Sequence, residues 1–153
     1  MKKLYLFLFT IALIGITNFA SAQDYKGPKV LNIGLISGFS SYNFGVQADY
    51  EIAQLGQDFT VGASAAFQSW DNNDYKGSSF AIGARFRWYA DRVLNISHPK
   101  WDVFANGDIG FNINAPNGLW WGIGIGGKFH ISDTFGLQAI IGSGAQIGVT
   151  FQL

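Results

Sequence analysis

The sequence predicts an all-β protein, a single eight-stranded antiparallel up-and-down transmembrane β-barrel. Three observations carry that expectation. Apolar residues recur at every second position through most of the chain, which is the period of a strand. The apolar phase of these runs holds no Asp, Glu, Lys or Arg. Glycine collects in the opposite phase, at Gly34, Gly45, Gly62, Gly83, Gly110, Gly124, Gly142 and Gly148 among others.

The elements follow in order. Met1 to Lys3 are basic at their end, Leu4 to Ile16 carry no charge, and Ala20-Ser21-Ala22 is a small-x-small cleavage site, so residues 1–22 read as a secretory signal peptide. That leaves residues 23–153 for the barrel domain, with Gln23 to Lys29 as a short lead-in. A weak first run covers Val30 to Ser40. In the second, Phe44, Val46, Ala48, Tyr50 and Ile52 share one face, and Gly45, Gln47, Asp49 and Glu51 share the other. Phe59 to Gln68 and Phe80 to Tyr89 alternate in the same way. Trp101 to Ile113, Leu119 to Ile131, Phe135 to Gly142 and Ala145 to Leu153 complete the eight. Between them stand polar and glycine-rich connections at Ser40–Asn43, Ala53–Asp58, Asp71–Ser78, Ala90–Lys100, Asn114–Gly118, Ser132–Thr134 and Ser143–Gly144.

Alternation does not say which face is inside; volume and charge do. The interior of an eight-stranded barrel is just wide enough for side chains to fill. It has no room for Phe44, Tyr50, Phe59, Phe67, Phe86, Trp101, Phe129, Phe151 and the rest of the aromatic phase together. Glycine weakens a strand unless something must come close, and a narrow lumen is such a reason. Arg or Lys facing lipid at mid-depth costs about 2–4 kcal/mol, which accounts for a charge-free apolar phase. A secreted soluble β-sandwich binding a hydrophobic ligand is the alternative that would bury the aromatics instead.

Composition excludes several classes. The 153 residues include 10 Lys and Arg, 10 Asp and Glu, 20 Gly and no Cys, with 16% aromatics. Disulfide scaffolds and thiolate metal sites are excluded. With no basic stripe to neutralise phosphates, no nucleic-acid partner is expected. Charged residues amount to 13%, about half of the ~25% of soluble domains, and point to a lipid partner.

The charged residues of the inward phase are Asp49, Glu51, Arg85, Arg87, Asp102, Asp108 and Lys128. Unpaired buried charge is far costlier than paired charge, so these seven are expected to form a network of ion pairs across the lumen. Arg87 with Asp102 and Arg85 with Asp108 are the expected neighbours. Trp70, Phe80, Trp88, Trp101, Phe111 and Trp121 lie near strand ends and are expected to form aromatic girdles at the two membrane interfaces. Both chain ends lie on one side of an even-numbered barrel, the periplasmic side for a chain inserted from the periplasm.

Catalytic and cofactor motifs are lacking. His130 stands near Ser132 and Asp133, but these crowd one turn and have no nucleophile on another strand. His98 and His130 without clustered acids make no metal site. Gly122–Gly127 lies inside a strand, whereas a phosphate loop needs a following helix. Asn95-Ile96-Ser97 matches a glycosylation sequon in form only. The loop Trp70–Gly77, with its Asp and Asn cluster, is a candidate weak calcium site without full EF-hand spacing. Val93, Leu94 and Ile96 give the Ala90–Lys100 connection an apolar content that suggests packing or a partner. The expected protein is therefore non-enzymatic and without cofactor. Its role is structural or one of surface interaction, with a narrow pore for small solutes as the alternative.

The final strand, Ala145-Gln-Ile-Gly-Val-Thr-Phe-Gln-Leu153, places Val149, Phe151 and Leu153 at alternate positions up to the last residue. It resembles the C-terminal signal of bacterial outer-membrane β-barrels, although that signal most often ends in Phe rather than Leu. The segment His98-Pro-Lys-Trp-Asp-Val-Phe-Ala-Asn-Gly-Asp-Ile-Gly-Phe-Asn112 resembles the Lys-Trp-Asp-Val-Tyr…Gly-Phe-Asn stretch of small outer-membrane barrels from Bacteroidota. The resemblance implies a small porin-family barrel of the OmpX/OmpW-like type in the bacterial outer membrane. It implies the barrel-assembly machinery as a partner during insertion, and it supplies neither catalytic residues nor a surface ligand.

Overall fold

The computed structural model describes residues 28–38, 43–72, 75–114 and 118–153. The signal-peptide assignment, Phe39 and most of the Ser40–Asn43 connection lie outside the described residues, as do the centres of the Asp71–Ser78 and Asn114–Gly118 connections and the side chain of Trp70. Eight strands follow one another: β1 (Val30–Gly38), β2 (Asn43–Gln54), β3 (Phe59–Asn72), β4 (Tyr75–Tyr89), β5 (Trp101–Ile113), β6 (Leu119–His130), β7 (Phe135–Gly142) and β8 (Gly144–Gln152). Each pairs antiparallel with its sequence neighbours, and β1 pairs with β8, so the sheet closes into a barrel with no free flank. This closure overturns the two-sheet sandwich.

Lateral closure satisfies the backbone N–H and C=O groups that hydrocarbon leaves without partners. The Leu153 N–H donates to the Lys29 carbonyl at 2.8 Å, so the ladder continues to the chain end. We call the end carrying Lys29 and Leu153 the base and the other end the rim.

The strand period sorts the side chains as the volume and charge arguments require. Ile147, Ile123, Ile125, Trp121 and Phe111 are 63–70% exposed. Asn32, Asp49, Glu51, Thr60, Arg87, Lys128, Gln138 and Thr150 are buried at 2% or less. A soluble domain shows the reverse. Only Tyr89, Phe104 and Ile140 form an apolar cluster among the buried residues described.

Glycine allows the wall to bend tightly. Gly34 lies opposite Gly148, Gly83 opposite Gly110, and Gly124 opposite Gly142. A Cβ on Gly148 would stand 2.1 Å from the Ile33 carbonyl oxygen and 2.5 Å from the Gly34 Cα. Glycine kinks of this kind give a sheet the curvature it needs to close.

One predicted connection is largely strand. Asp71 pairs with Lys76 and Asn72 with Tyr75, so β3 and β4 continue through most of the expected Asp71–Ser78 loop. Beyond the apolar band neither face of a hairpin need be apolar, and alternation, the signal for a strand, disappears while pairing continues. A register shift between Glu51 and Ala53 carries β2 on to Gln54. In the β4–β5 connection Val93 and Leu94 are 59% and 56% exposed, so among the described residues nothing packs over them.

Candidate functional site

The inward phase of five strands converges in the lower half of the lumen. Asp49 and Glu51 come from β2, Arg85, Arg87 and Tyr89 from β4, Lys128 from β6, Asn32 from β1 and Thr60 from β3. The period of two puts Asp49 and Glu51 one above the other, and likewise Arg85, Arg87 and Tyr89.

Asp49 receives both arginines. Arg87 donates from Nη1 to Asp49 Oδ2 at 2.6 Å and from Nη2 to Oδ1 at 3.0 Å, a paired fork. Arg85 donates from Nη1 to Asp49 Oδ1 at 2.8 Å. Its other edge forks onto Asp108, Nε to Oδ1 at 2.6 Å and Nη2 to Oδ2 at 2.9 Å. Asn32 Nδ2 donates to Asp49 Oδ2 at 2.8 Å.

Glu51 gathers a second set. Its Oε1 accepts from Arg87 Nη1 at 3.0 Å, Lys128 Nζ at 2.8 Å and Tyr89 Oη at 3.0 Å. Its Oε2 accepts from Thr60 Oγ1 at 2.7 Å. Lys128 Nζ also donates to Tyr89 Oη at 2.7 Å. The Phe104 ring lies under the Arg87 guanidinium, 5.2 Å from centroid to Cζ, adding a cation–π contact.

Six of the seven expected network residues therefore meet, Asp102 being the exception, and the pairing needs two corrections. Arg87 does not face Asp102: it lies in register with Asn106 and bonds across the lumen to β2. Asp102 instead holds His130, Oδ2 to Nε2 at 2.6 Å. The cause is stagger. Tilted strands close with a shear between neighbours, and β5 begins below the end of β4, with Tyr89 opposite Phe104. His130 thus joins the inward-facing set through Asp102. Tyr89, Asn32 and Thr60 escaped the charge-based reading although each stands in the inward phase. For Tyr89 the signal was its place two residues after Arg87.

Four acids face three bases and one histidine along the lumen, and fork-shaped pairs take up most of their hydrogen-bonding capacity. Through these pairs β2 is tied across the lumen to β4 and β6. No group of His, Cys, Asp or Glu suited to a metal ion occurs among the described residues. At the base, outside the barrel wall, Arg92 pairs with Asp58, and this hydrogen bond, with the carboxylate charge behind it, raises the guanidinium pKa.

The remaining predicted positions lie on the outer surface. Phe80, Trp101, Phe111 and Trp121 are exposed, and Trp88 is half-buried beside Phe59, ring centroids 6.5 Å apart. Trp101 and Phe129 meet at 4.9 Å. Phe151 meets Phe135 at 5.4 Å, while Val149 pairs with Ile33 and Leu137, so the last strand is built into the wall on both flanks. Leu153 is half-buried.

The fold is that of a transmembrane β-barrel. A solved structure described as "De novo design of transmembrane beta-barrels" superposes with a TM-score of 0.58 at 12% identity, covering 84% of this chain and 98% of that one. The N-terminal β-barrel domain of Pseudomonas aeruginosa OprF aligns with a TM-score of 0.45 at 17% identity, covering 82% and 98%. No protein-family profile matches the sequence. No curated protein matches it either.

Proposed function

We propose that this is a non-enzymatic barrel of the bacterial outer membrane, its lumen closed by its own side chains, with a structural or surface-interaction role at the rim. The observation that carries the reading is the cross-lumen network centred on Asp49 and Glu51. Arg87 and Lys128 reach across the bore at 1% exposure or less, which supports a closed lumen. The leader-like residues 1–22 and the alternating C-terminal strand support delivery to the outer membrane by way of the barrel-assembly machinery. The girdle and the charge-free outer face support lipid as the standing partner.

Planar-bilayer recording of the purified protein tests this. A plugged barrel gives no steady conductance at moderate voltage. A large steady conductance would make it the narrow pore instead.

A further inference from the structure

The β4–β5 connection opens with a fixed turn. The Ile96 N–H donates to the Asp91 carbonyl at 2.8 Å, and the Asn95 N–H to the Arg92 carbonyl at 3.4 Å. Asn95 takes a left-handed φ of 53°. Nested bonds around a left-handed residue close a helical turn. The Leu94 N–H also returns to the Ala90 carbonyl at 2.8 Å, so Val93 and Leu94 stand side by side on one short turn.

Two observations fix where that turn lies. The Ala90 N–H donates to the Val103 carbonyl at 2.8 Å, which sets Ala90 level with Val103 on β5. Trp101 lies two residues further toward the base, about 7 Å along the strand. One helical turn rises only about 5.4 Å, so this one reaches no lower than Trp101. Ala90 also continues the outward phase, yet it is only 7% exposed. In the same phase Ala48, Ala63, Ala65, Ala84, Ala105 and Ala139 are all more open. The connection therefore folds over the outer side of the wall, not across the mouth of the lumen.

The surface it presents there is apolar. Val93 and Leu94 are exposed, and so is Leu55 on the neighbouring β2–β3 turn. Both acids of these turns are taken up. Asp91 is buried, its Oδ1 accepting from the Val103 N–H at 2.7 Å. Asp58 is held by Arg92, a pair that ties the two turns together. The exposed cations Arg92 and Lys100 remain, and long cationic side chains reach headgroup phosphates while their stems stay on apolar surface. The patch is continuous with the lipid-facing phase, because Phe59 and Trp88 stack just above it and Trp101 stands beside it.

We infer that this turn is a membrane-interface anchor, with Val93, Leu94 and Leu55 entering the lipid leaflet on the base side. The apolar side of an interfacial element enters about 5–10 Å into the boundary between headgroups and acyl chains. β4 ends at Tyr89 while β5 runs on to Trp101, and the turn carries the apolar surface across that step. The inference rests on the reading of the outer wall as lipid-facing.

The chain holds no cysteine, so single nitroxide labels report one position each. Val93→Cys, Leu94→Cys, Ile125→Cys and Asp133→Cys are labelled in the full barrel, with folding checked by heat-modifiable migration. Electron paramagnetic resonance in phosphatidylcholine vesicles then reads collisions with oxygen and with a water-soluble nickel chelate. The labels replacing Val93 and Leu94 are expected to favour oxygen, as the label replacing Ile125 in the wall does. The label replacing Asp133, on the exposed β6–β7 turn, is expected to favour nickel. If the labels at both turn positions favour nickel while the one at Ile125 favours oxygen, the anchor is overturned and the membrane barrel stands. Shielding from both reagents also overturns it, because a protein neighbour then covers the turn. A label at Ile125 that favours nickel refutes the lipid-facing wall, and the anchor with it. If one of the two turn variants does not fold, the other decides.

Discussion

Asp49 holds Arg87 in a two-bond fork, at 2.6 and 3.0 Å, while its Oδ1 also accepts from Arg85. One carboxylate thereby fixes two guanidinium groups from a different strand, both of them buried. Removing it by Asp49→Ala strands buried positive charge, a change that costs about 3–5 kcal/mol. Urea unfolding in lipid vesicles, followed by heat-modifiable migration, should show a loss of that order. A loss below about 1 kcal/mol would mean that water enters the lumen freely.

The plug itself can be removed. Replacing Glu51, Arg87 and Lys128 together by Ala takes away the side chains that span the bore and leaves Asp49 held by Arg85 and Asn32. The triple variant is expected to show steady conductance in planar bilayers where the wild type shows none. Silence from a folded triple variant would place the block elsewhere in the lumen.

Curvature is testable at Gly148. Gly148→Val puts a branched side chain where a Cβ already lies 2.1 Å from the Ile33 carbonyl oxygen, so β8 should fail to close on β1. The expected result is loss of the heat-modifiable, protease-resistant form. Gly107→Ala is the control: a Cβ there meets nothing within 4 Å, and stability should stay within about 0.5 kcal/mol.

The outward face is testable at Ile125, which is 64% exposed and lies between Ala105 and Ile141 on neighbouring strands. Ile125→Arg faces hydrocarbon near mid-depth and should destabilise the barrel by about 2–4 kcal/mol in vesicles. An exposed isoleucine on a water-soluble protein would tolerate the same change within about 0.5 kcal/mol, so unfolding free energies in vesicles decide between the two.

Most of the architecture was legible because one period does two jobs. In Phe44–Ile52 or Phe80–Tyr89, alternation names the strand, and the phase that excludes charge names the lipid side. Arg85 opposite Asp108 followed from counting along neighbouring strands. Arg87 with Asp49 and Glu51 did not, because contacts across a bore depend on shear and on the reach of long side chains, neither of which is written in any local pattern. Asp102 with His130 was missed for the same reason. Tyr89 was hidden differently, since its role as a donor to Glu51 needs no charge to announce it. The Asp71–Lys76 pairing escaped because, beyond the apolar band, a ladder can persist without alternation.

The pairing of Val30–Gly38 with Gly144–Gln152 joins the two most distant parts of the described chain. On its outer flank the opening strand has no lasting neighbour until the closing strand exists, and a product cut short anywhere between them carries two naked edges at once. Closure is thus a property of the finished polypeptide, and both edges stay open until the first and last strands meet.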